Sequence, residues 1–380
     1  MSNTKMRILQ VNKFYCPWIG GIETVVKDIA EGLRDKADVE VLVCQPKGKT
    51  KIEVINGVKI TKSGSLGTYF SMPVSFSFFR LFNKLSKNAD IIHLHMPFPL
   101  GDLACLLSRY KGKVVVWWHS DIVKQKKLMI FYKPLMNWLL KRADLIIVAT
   151  EGHINSSIYL KPYKQKCKII PFGLKLNEYK VNSNKMILTN QLYNKKNKKV
   201  LFVGRLVYYK GIQVLIDAFK KLKNCELFIV GEGILLNELK SSVSEFNLIN
   251  VIHFLGKLSD EDLKQAFLDC DIFVLPSVAN SEAFGLVQLE AMFYEKPVIN
   301  TSLTTGVPYV SLNNISGLTV KPNNPEELSK AIQKLVDNDR LRNKLGKNGK
   351  QRVKNIFNID KMLKDLCCEY KNLLKLGDKK

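Results

Sequence analysis

The feature that most constrains this chain is the stretch 271–300, which reads DIFVLPSVANSEAFGLVQLEAMFYEKPVIN. It opens with an apolar run that stops at Pro276, which predicts a buried strand of a parallel sheet. After a polar loop, apolar residues recur at helical spacing over 286–293, and a second apolar run begins after Lys296 and Pro297. Strand, loop and helix in this order predict an open α/β sheet, whose ligands bind at such turns.

Two carboxylates belong to this turn and its helix, Glu282 and Glu290, eight positions apart. Eight helical residues span roughly 12 Å, so an acid at the helix start and one two turns later can share a face. A long ligand could place a sugar at Glu282, a diphosphate over the backbone N–H groups of Gly285 and Leu286, and a ribose at Glu290. The spacing therefore suggests a nucleotide-sugar site, and two solvated helix glutamates are the alternative.

Length and composition predict a two-domain globular protein, because 380 residues exceed one ordinary core and 46% of them are hydrophobic. The eight cysteines show neither zinc-site nor disulfide-framework spacing, so reduced thiols are expected. No apolar stretch has the length and flanks of a signal peptide or a membrane span, which predicts a soluble or peripheral protein.

The net charge of +25 is unevenly distributed, with +17 on residues 1–185 and +8 on the remainder. An anionic lipid surface or a lipid-phosphate substrate is one interpretation of the basic first half. Nucleic acid is another, although the chain shows no recognised nucleic-acid-binding motif. A coding bias toward lysine is the third.

The first half alternates strands and helices. The strand 6–11 is followed by a loop that ends in Gly20 and Gly21, and by an amphipathic helix whose apolar face holds Ile22, Val25 and Leu33. Two glycines at a helix start let an anion approach the free N–H groups. Because the turn lacks the G-x-G-x-x-G spacing, it does not suggest a dinucleotide site.

One histidine of the first half has the position of an active-site residue. His119 follows the apolar strand 114–118, and the carboxyl end of a strand is where an α/β sheet presents ligands. For His93 and His95, inside the preceding strand, a packed role and a site role are both open. The aromatic segment 69–82 is either an interfacial membrane helix or core, with core slightly favoured.

The second half repeats the pattern after a polar segment at 181–198 that we predict to be a linker. A strand leads through Arg205 to Lys210 and a helix, and these two cations can converge on one diphosphate, supplying the charge that a metal would otherwise provide. A later strand ends at residues 256–258, Gly256, Lys257 and Leu258, whose backbone could pair with a base edge.

Short motifs occur in a fixed order along about nine-tenths of the chain. They are Gly20-Gly21-Ile22-Glu23, His119-Ser120-Asp121, Ile170-Pro171-Phe172-Gly173, Gly204-Arg205-Leu206, Lys210-Gly211, Gly231-Glu232-Gly233, Pro276-Ser277, Glu282-x-Phe284-Gly285, Glu290-Ala291-Met292 and Lys296-Pro297-Val298. In these motifs and their order, the chain resembles the retaining glycosyltransferases of family 4.

The family's fold, called GT-B, has two Rossmann-like domains with parallel sheets facing across a cleft. The resemblance implies an acceptor domain over 1–180, joined by a returning C-terminal helix at 357–380, and a nucleotide-sugar domain over 199–356.

The resemblance also implies roles for individual residues. Arg205 and Lys210 would bind the diphosphate, Glu290 the ribose, and the 256–258 backbone the base. Glu282, beside Phe284 and Gly285, would meet the sugar hydroxyls. In the first domain, Gly20 and Gly21 would lie near the diphosphate and His119 near the reacting sugar. Catalytic roles are thus expected for Glu282 and His119, with no metal and no cofactor beyond the sugar nucleotide.

Two departures from the family pattern are visible. Phe293 and Tyr294 stand at a helix end where small residues and a glycine are common, and the loop 303–309 suits members that act on bacterial surface polysaccharide precursors.

The hypothesis is a metal-independent, retaining hexosyltransferase that uses a UDP- or GDP-sugar. It would extend a lipid-linked glycan, as in O-antigen, lipopolysaccharide or capsule synthesis, at the cytoplasmic face of an anionic membrane and without nucleic acid. The alternatives are a GT-B epimerase or hydrolase of nucleotide sugars, a glycogen-synthase-like enzyme, and a basic nucleic-acid-binding protein.

Overall fold

The computed structural model describes residues 5–18, 20–69, 72–122, 126–180, 187–188 and 197–377. The chain forms two compact units, Met1–Phe172 with Ile359–Lys380, and Gly173–Asn358. Most of the linker predicted at 181–198 lies outside the described residues, and the predicted functional domains remain predictions.

The first unit contains an eight-stranded sheet in the order β10-β9-β8-β7-β1-β2-β4-β3, parallel except where β3 meets β4. A small antiparallel pair, β5 and β6, is separate from it. The strands are β1 Met6–Val11, β2 Ala37–Cys44, β3 Lys51–Ile55, β4 Val58–Ser63, β5 Thr68–Tyr69, β6 Met72–Pro73, β7 Ile91–Met96, β8 Lys113–Trp118, β9 Leu145–Val148 and β10 Cys167–Ile169.

The second unit contains a six-stranded parallel sheet in the order β13-β12-β11-β14-β15-β16. Its strands are β11 Lys198–Val203, β12 Cys225–Val230, β13 Ile252–Gly256, β14 Ile272–Val274, β15 Val298–Thr301 and β16 Gly317–Val320. This is the Rossmann order, and the predicted α/β class with parallel sheets is confirmed.

Helices connect the strands of both sheets. They are α1 Gly21–Leu33, α2 Ser77–Ser86, α3 Pro99–Ser108, α4 Lys126–Arg142, α5 Glu151–Ser156, α6 Ile212–Phe219, α7 Leu236–Glu245, α8 Asp260–Asp269, α9 Val287–Phe293, α10 Val307–Val310, α11 Pro325–Val336, α12 Asp339–Ile356 and α13 Ile359–Gly377. In the part of the chain that the structure describes, no helix is both long and apolar enough to cross a bilayer.

Burial explains why the strands are apolar runs. Every residue of β7 is buried, as are the last five of β8, because side chains leave both faces of a parallel sheet and both faces are covered. In α1 the predicted apolar face is buried at Val25, Val26, Ile29 and Leu33.

Some aromatic residues of the segment 69–82 are buried in the core, and others are exposed. Phe78 and Phe82 of α2 are fully buried and belong to the core of the first unit. Tyr69 and Phe76 are exposed, at 61% and 75%. Residues 70–71 lie outside the described part of the chain.

The last helix, α13, belongs to the first unit. It packs against α1, where Gly32 leaves room for the Leu363 side chain, and it buries Leu366 and Tyr370 completely. The Tyr370 hydroxyl lies 2.6 Å from Nδ1 of His93 in β7.

Candidate functional site

Each sheet reverses its strand order at one point, and ligands of open α/β sheets bind at the carboxyl ends of the strands there. In the second unit the reversal lies between β11 and β14. The residues that follow these strands include Arg205 and Lys210 on one side and Ser277 and Glu282 on the other.

Close backbone approach joins the two loops. Gly211, which ends the loop after β11, has a φ of +68°, and a Cβ there would collide with the Pro276 carbonyl oxygen. Glycine meets both requirements because it lacks that atom. The Val278 N–H also donates to the Tyr209 carbonyl at 2.8 Å. This contact brings the loop that carries Lys210 against the loop that carries Glu282.

Lys210 and Glu282 form a direct ion pair. Nζ of Lys210 lies 2.5 Å from Oε2 of Glu282, and each side chain is 11% exposed. The Ser277 hydroxyl, fully buried, donates to the same carboxylate oxygen at 3.2 Å. A carboxylate that receives an ammonium and a hydroxyl is held in one orientation.

Arg205 belongs to the same cluster through Tyr209. Its guanidinium donates to the Tyr209 hydroxyl at 3.0 Å, and Nζ of Lys210 lies 5.7 Å from the centre of the Tyr209 ring. The exposed Arg205 and the largely buried Lys210 side chain thus both contact Tyr209, and their convergence on one diphosphate remains a prediction.

The loop after β15 fixes the backbone around Glu282. The Thr305 hydroxyl donates to the Glu282 carbonyl at 2.8 Å, and the Gly306 N–H donates to the Ala283 carbonyl at 2.7 Å. Beneath it, the buried Asn300 amide donates to the Gln288 side chain at 2.9 Å and to the Val307 carbonyl at 3.1 Å. This network restrains the turn that carries Glu282.

The predicted helical register of the two glutamates is wrong. Helix α9 begins at Val287, so Glu290 lies in its first turn and Glu282 precedes it in an irregular turn. The cause is local, because Gly285 has a φ of +74°, which interrupts helical geometry just before Leu286, the N-cap. Glu290 retains some exposed surface, yet desolvation, with a smaller effect of the Asp260 charge, raises its pKa to about 8.

The predicted base contact lies at the end of β13. Gly256 has a φ of +67°, and its carbonyl accepts the Gly231 N–H at 2.7 Å. Lys257 is exposed and Leu258 half-buried before Ser259 caps α8. These residues thus lie at the carboxyl edge of the second sheet, where the Lys210 loop also lies.

In the first unit the strand order reverses between β1 and β7, and Gly20 and Gly21 follow β1. Gly20 is the extended N-cap of α1, and its carbonyl accepts the Thr24 N–H at 3.0 Å. The Lys62 ammonium donates to the Cys16 carbonyl at 2.9 Å and thereby restrains the loop that leads to these glycines.

His119 directly follows β8 and is 5% exposed. Its Nε2 lies 3.0 Å from Nδ1 of His95, whose Nε2 lies 3.0 Å from Oε1 of Gln10. Desolvation lowers the pKa of His119 to about 3. His93 and His95 are buried and hydrogen-bonded, as the packed alternative for them predicted.

Several residues of these clusters were absent from the sequence-based set. Tyr209 and Thr305 belong to none of the motifs, and Ser277 was part of a motif without a predicted role. The fold brings Ser277 and Thr305 to Glu282, and Tyr209 to Arg205. Gln10 had a signal, because a polar residue inside the apolar run of β1 requires a buried partner. Among the described residues, no group of three or more His, Cys, Asp or Glu side chains is arranged to hold a metal.

One departure from the family pattern has a structural explanation. The Tyr294 hydroxyl donates to the Tyr179 carbonyl at 2.6 Å, and the rings of Phe293 and Tyr179 lie 5.8 Å apart. The bulky residues at the end of α9 therefore pack against the segment Leu176–Tyr179 of the same unit.

Comparison with known proteins shows two family matches that together span most of the chain. Residues 19–178 match the model described as Glycosyltransferase Family 4, and residues 186–352 match Glycosyl transferases group 1.

Similar proteins match along nearly their whole length. The O-antigen chain mannosyltransferase C of Escherichia coli is 33% identical over 97% of this chain and 99% of its own. D-rhamnosyltransferase WbpZ of Pseudomonas aeruginosa is 32% identical over 93% and 92%. The crystal structure of Anabaena HepE with UDP and glucose has a TM-score of 0.78, at 20% identity over 96% of this chain and 99% of that one.

The resemblance in motif order is thus confirmed by whole-length similarity, by the two family matches and by the fold. The chain belongs to the group 1, family 4 glycosyltransferases.

Proposed function

We propose that the protein is a retaining, metal-independent glycosyltransferase that moves a hexose from a UDP- or GDP-sugar to a growing lipid-linked glycan of the O-antigen or lipopolysaccharide type. The observation that carries the proposal is the Lys210–Glu282 ion pair, with Arg205 nearby, at the strand-order reversal of the second sheet.

In this proposal the donor binds along the carboxyl edge of the second sheet. Arg205 and Lys210 bind the diphosphate, Glu290 the ribose, and the 256–258 backbone the base. Glu282 accepts hydrogen bonds from sugar hydroxyls, with the Gly285 and Leu286 N–H groups beside it. HepE, a protein of the same fold, binds UDP and glucose, which supports this donor class.

The transfer itself needs charge stabilisation and a proton acceptor. The acceptor hydroxyl oxygen bonds to the anomeric carbon while the bond from that carbon to the diphosphate oxygen breaks. The hydroxyl proton passes to the leaving diphosphate on the same face, which retains configuration. Arg205 and Lys210 stabilise the charge that develops on the diphosphate, so the proposal requires no metal. In the first unit, Gly20 and Gly21 offer backbone N–H groups to an anion, and His119 offers a contact to a sugar hydroxyl.

The names of two relatives limit the sugars that this chain is expected to transfer. One transfers mannose and the other D-rhamnose, which is 6-deoxymannose, so both sugars share one configuration at C2, C3 and C4. We infer that this chain transfers a sugar of the same configuration.

Surface composition supports the acceptor and membrane parts of the proposal. Exposed apolar side chains lie on segments that follow the carboxyl ends of β1, β4 and β8, namely Trp18, Tyr69, Phe76, Ile130 and Phe131. The first half also carries most of the positive charge. Exposed aromatics interspersed with lysines favour the interface of an anionic bilayer, here its cytoplasmic face.

Nucleotide binding tests the donor part. UDP or GDP without added metal should raise the melting temperature by several degrees, because a ligand of the folded state stabilises it. Arg205→Ala should abolish the shift, whereas Arg340→Ala, an exposed arginine of α12, should preserve it. If neither nucleotide shifts the melting temperature of the unsubstituted protein, the donor assignment is wrong.

Product analysis tests the reaction class. Transfer to a lipid-linked glycan with retained anomeric configuration is expected, without turnover of the donor alone. Donor turnover without an acceptor would support the epimerase or hydrolase alternative. Transfer to a soluble glucan would instead support a glycogen-synthase-like enzyme.

Vesicle flotation tests the membrane part. Vesicles with anionic lipid should bind the protein at low salt, and serine at Ile130 and Phe131 should weaken that binding. Serine at Ile249, an equally apolar and 60% exposed residue of the second unit, is the control and should change nothing. Binding that is equal with neutral lipid would contradict the proposal.

A further inference from the structure

Four side chains of the first unit form a buried polar row across three adjacent strands. Gln10 belongs to β1, His93 and His95 to β7, and His119 follows β8. All four are at most 5% exposed. The His95 and His119 rings are nearly parallel, with centroids 5.3 Å apart, and Trp117 and Phe172 flank His119 at 5.9 Å and 5.6 Å. The rings are therefore held in place by packing as well as by hydrogen bonds.

The two hydrogen bonds of His95 run in a chain. Its Nε2 lies 3.0 Å from Oε1 of Gln10, and its Nδ1 lies 3.0 Å from Nε2 of His119. An amide oxygen only accepts, so Nε2 of His95 carries a proton and donates it.

Because His95 is neutral, only one placement of the proton fits its hydrogen bond to His119. Burial lowers the pKa of both His95 and His119 below the usual range, so each ring holds a single proton at neutral pH. Since the His95 proton is on Nε2, its Nδ1 is an acceptor, and Nε2 of His119 must donate to it. Nδ1 of His119 then keeps its lone pair.

We propose that Gln10 and His95 are positioning residues that hold His119 as the Nε2–H tautomer, so that its Nδ1 accepts a hydrogen bond from a hydroxyl of the substrate sugar. The inference rests on the proposed function for the presence of that sugar. The opposite tautomer would present an N–H and would favour a ligand oxygen without a proton. The hydrogen bond from His95 to Gln10 thus determines whether Nδ1 of His119 accepts a hydrogen bond from the substrate or donates one to it.

Selective labelling makes the tautomer measurable, because the chain contains five histidines. Long-range ¹H–¹⁵N spectra of ¹⁵N-histidine protein, assigned by single His→Gln variants, should show His119 protonated at Nε2 and bare at Nδ1. Gln10→Met removes the acceptor with little change in shape, and should convert His119 to a mixture of tautomers. Gln10→Glu keeps an acceptor oxygen and should restore the single tautomer.

Kinetics provide the second readout. Gln10→Met should lower kcat about tenfold with a nearly unchanged KM for the donor, since one hydrogen bond to the reacting sugar is misdirected. Gln10→Glu should recover most of kcat. Gln265→Met, which also replaces a buried glutamine but in α8, is the matched control and should leave both the His119 spectrum and kcat unchanged.

The outcomes separate the inference from the proposed function. A proton on Nδ1 of His119 in the unsubstituted protein, or an unchanged spectrum in Gln10→Met, would overturn the tautomer assignment whatever the enzyme's activity. The expected spectra together with an absence of sugar transfer would instead contradict the proposed reaction and leave the hydrogen-bonded chain intact.

Discussion

Nζ of Lys210 lies 2.5 Å from Oε2 of Glu282, and both side chains are nearly withdrawn from solvent. The two residues follow neighbouring strands, so the pair exists because β11 and β14 are adjacent in the sheet. A cation that is already desolvated and oriented requires little rearrangement when a diphosphate binds.

The first prediction concerns this pair. Lys210→Met and Glu282→Gln should each lower the free energy of unfolding by about 2 kcal/mol, because each leaves a partly buried partner unpaired. The double variant should lose less than the sum of the two, which chemical denaturation of all four proteins measures. Strict additivity would show that the pair contributes no coupling energy.

The same variants should differ in function. Lys210→Met should weaken UDP or GDP binding, since it removes a diphosphate ligand. Glu282→Gln should bind the nucleotide at least as well as the unsubstituted protein, yet lose transfer by about 100-fold, roughly 2.7 kcal/mol of transition-state stabilisation. Calorimetry and transfer assays separate the two effects. Equal loss of nucleotide affinity in both would contradict the division of roles.

Glu290 should make nucleotide affinity depend on pH. With a pKa of about 8 the carboxyl is largely protonated at neutral pH, and ribose hydroxyls donate most strongly to the ionised form. Affinity for UDP or GDP should therefore rise as pH increases from 7 to 9, by at most about tenfold per unit. Glu290→Gln should bind more weakly with a flat profile, whereas Arg205→Ala should retain the slope. Identical slopes with and without Glu290 would exclude it as the titrating group.

The buried Asp102 carboxyl should lower the free energy of unfolding at neutral pH. It lies in the first turn of α3, and burial raises its pKa to about 8, against a usual value of 3.8. Between those values the unfolded chain is ionised and the folded chain protonated, so stability should fall as pH rises, by about 1.4 kcal/mol per unit. Asp102→Asn keeps an acceptor for the Tyr132 hydroxyl, and should unfold at a higher temperature at pH 7.5.

The comparison with a lower pH checks the cause. At pH 3 the Asp102→Asn variant and the unsubstituted protein should have similar melting temperatures, because Asp102, with a usual pKa of 3.8, is then mostly protonated in both states. A constant difference between the two proteins at all pH values would point to packing instead.

At position 295, glycine should give a more stable protein than alanine. Glu295 follows Tyr294, the C-cap of α9, with a φ of +59°, a left-handed conformation that costs a side chain roughly 1 kcal/mol. Both substitutions remove the ion pair with Lys350, so that loss cancels in their comparison. Glu295→Gly should therefore be more stable than Glu295→Ala by about 1 kcal/mol in denaturant unfolding, the reverse of the helix-interior order. A more stable alanine variant would contradict this.

Sequence patterns predicted central strands such as β1, β8 and β14 and the glycines at the start of α1, because buried runs and glycines are local signals. The roles of the candidate site residues remain predictions. The Lys210–Glu282 contact could not be predicted from the sequence, since strand order brings together residues that are 72 positions apart. The register of Glu290 was mistaken because one left-handed glycine, Gly285, delays the helix. Gln10 was overlooked because a single polar residue does not reveal which side chain it contacts.

The return of α13 to the first unit has a consequence for synthesis. As the chain leaves the ribosome, all of Gly173–Asn358 is made before the helix that buries Leu366 and Tyr370 exists. Until then the α1 surface around Gly32 is uncovered, and His93 lacks the Tyr370 hydroxyl. The unit that begins first in the chain is therefore completed last, and a ribosome that stops short of the final helix releases a protein whose first core is open.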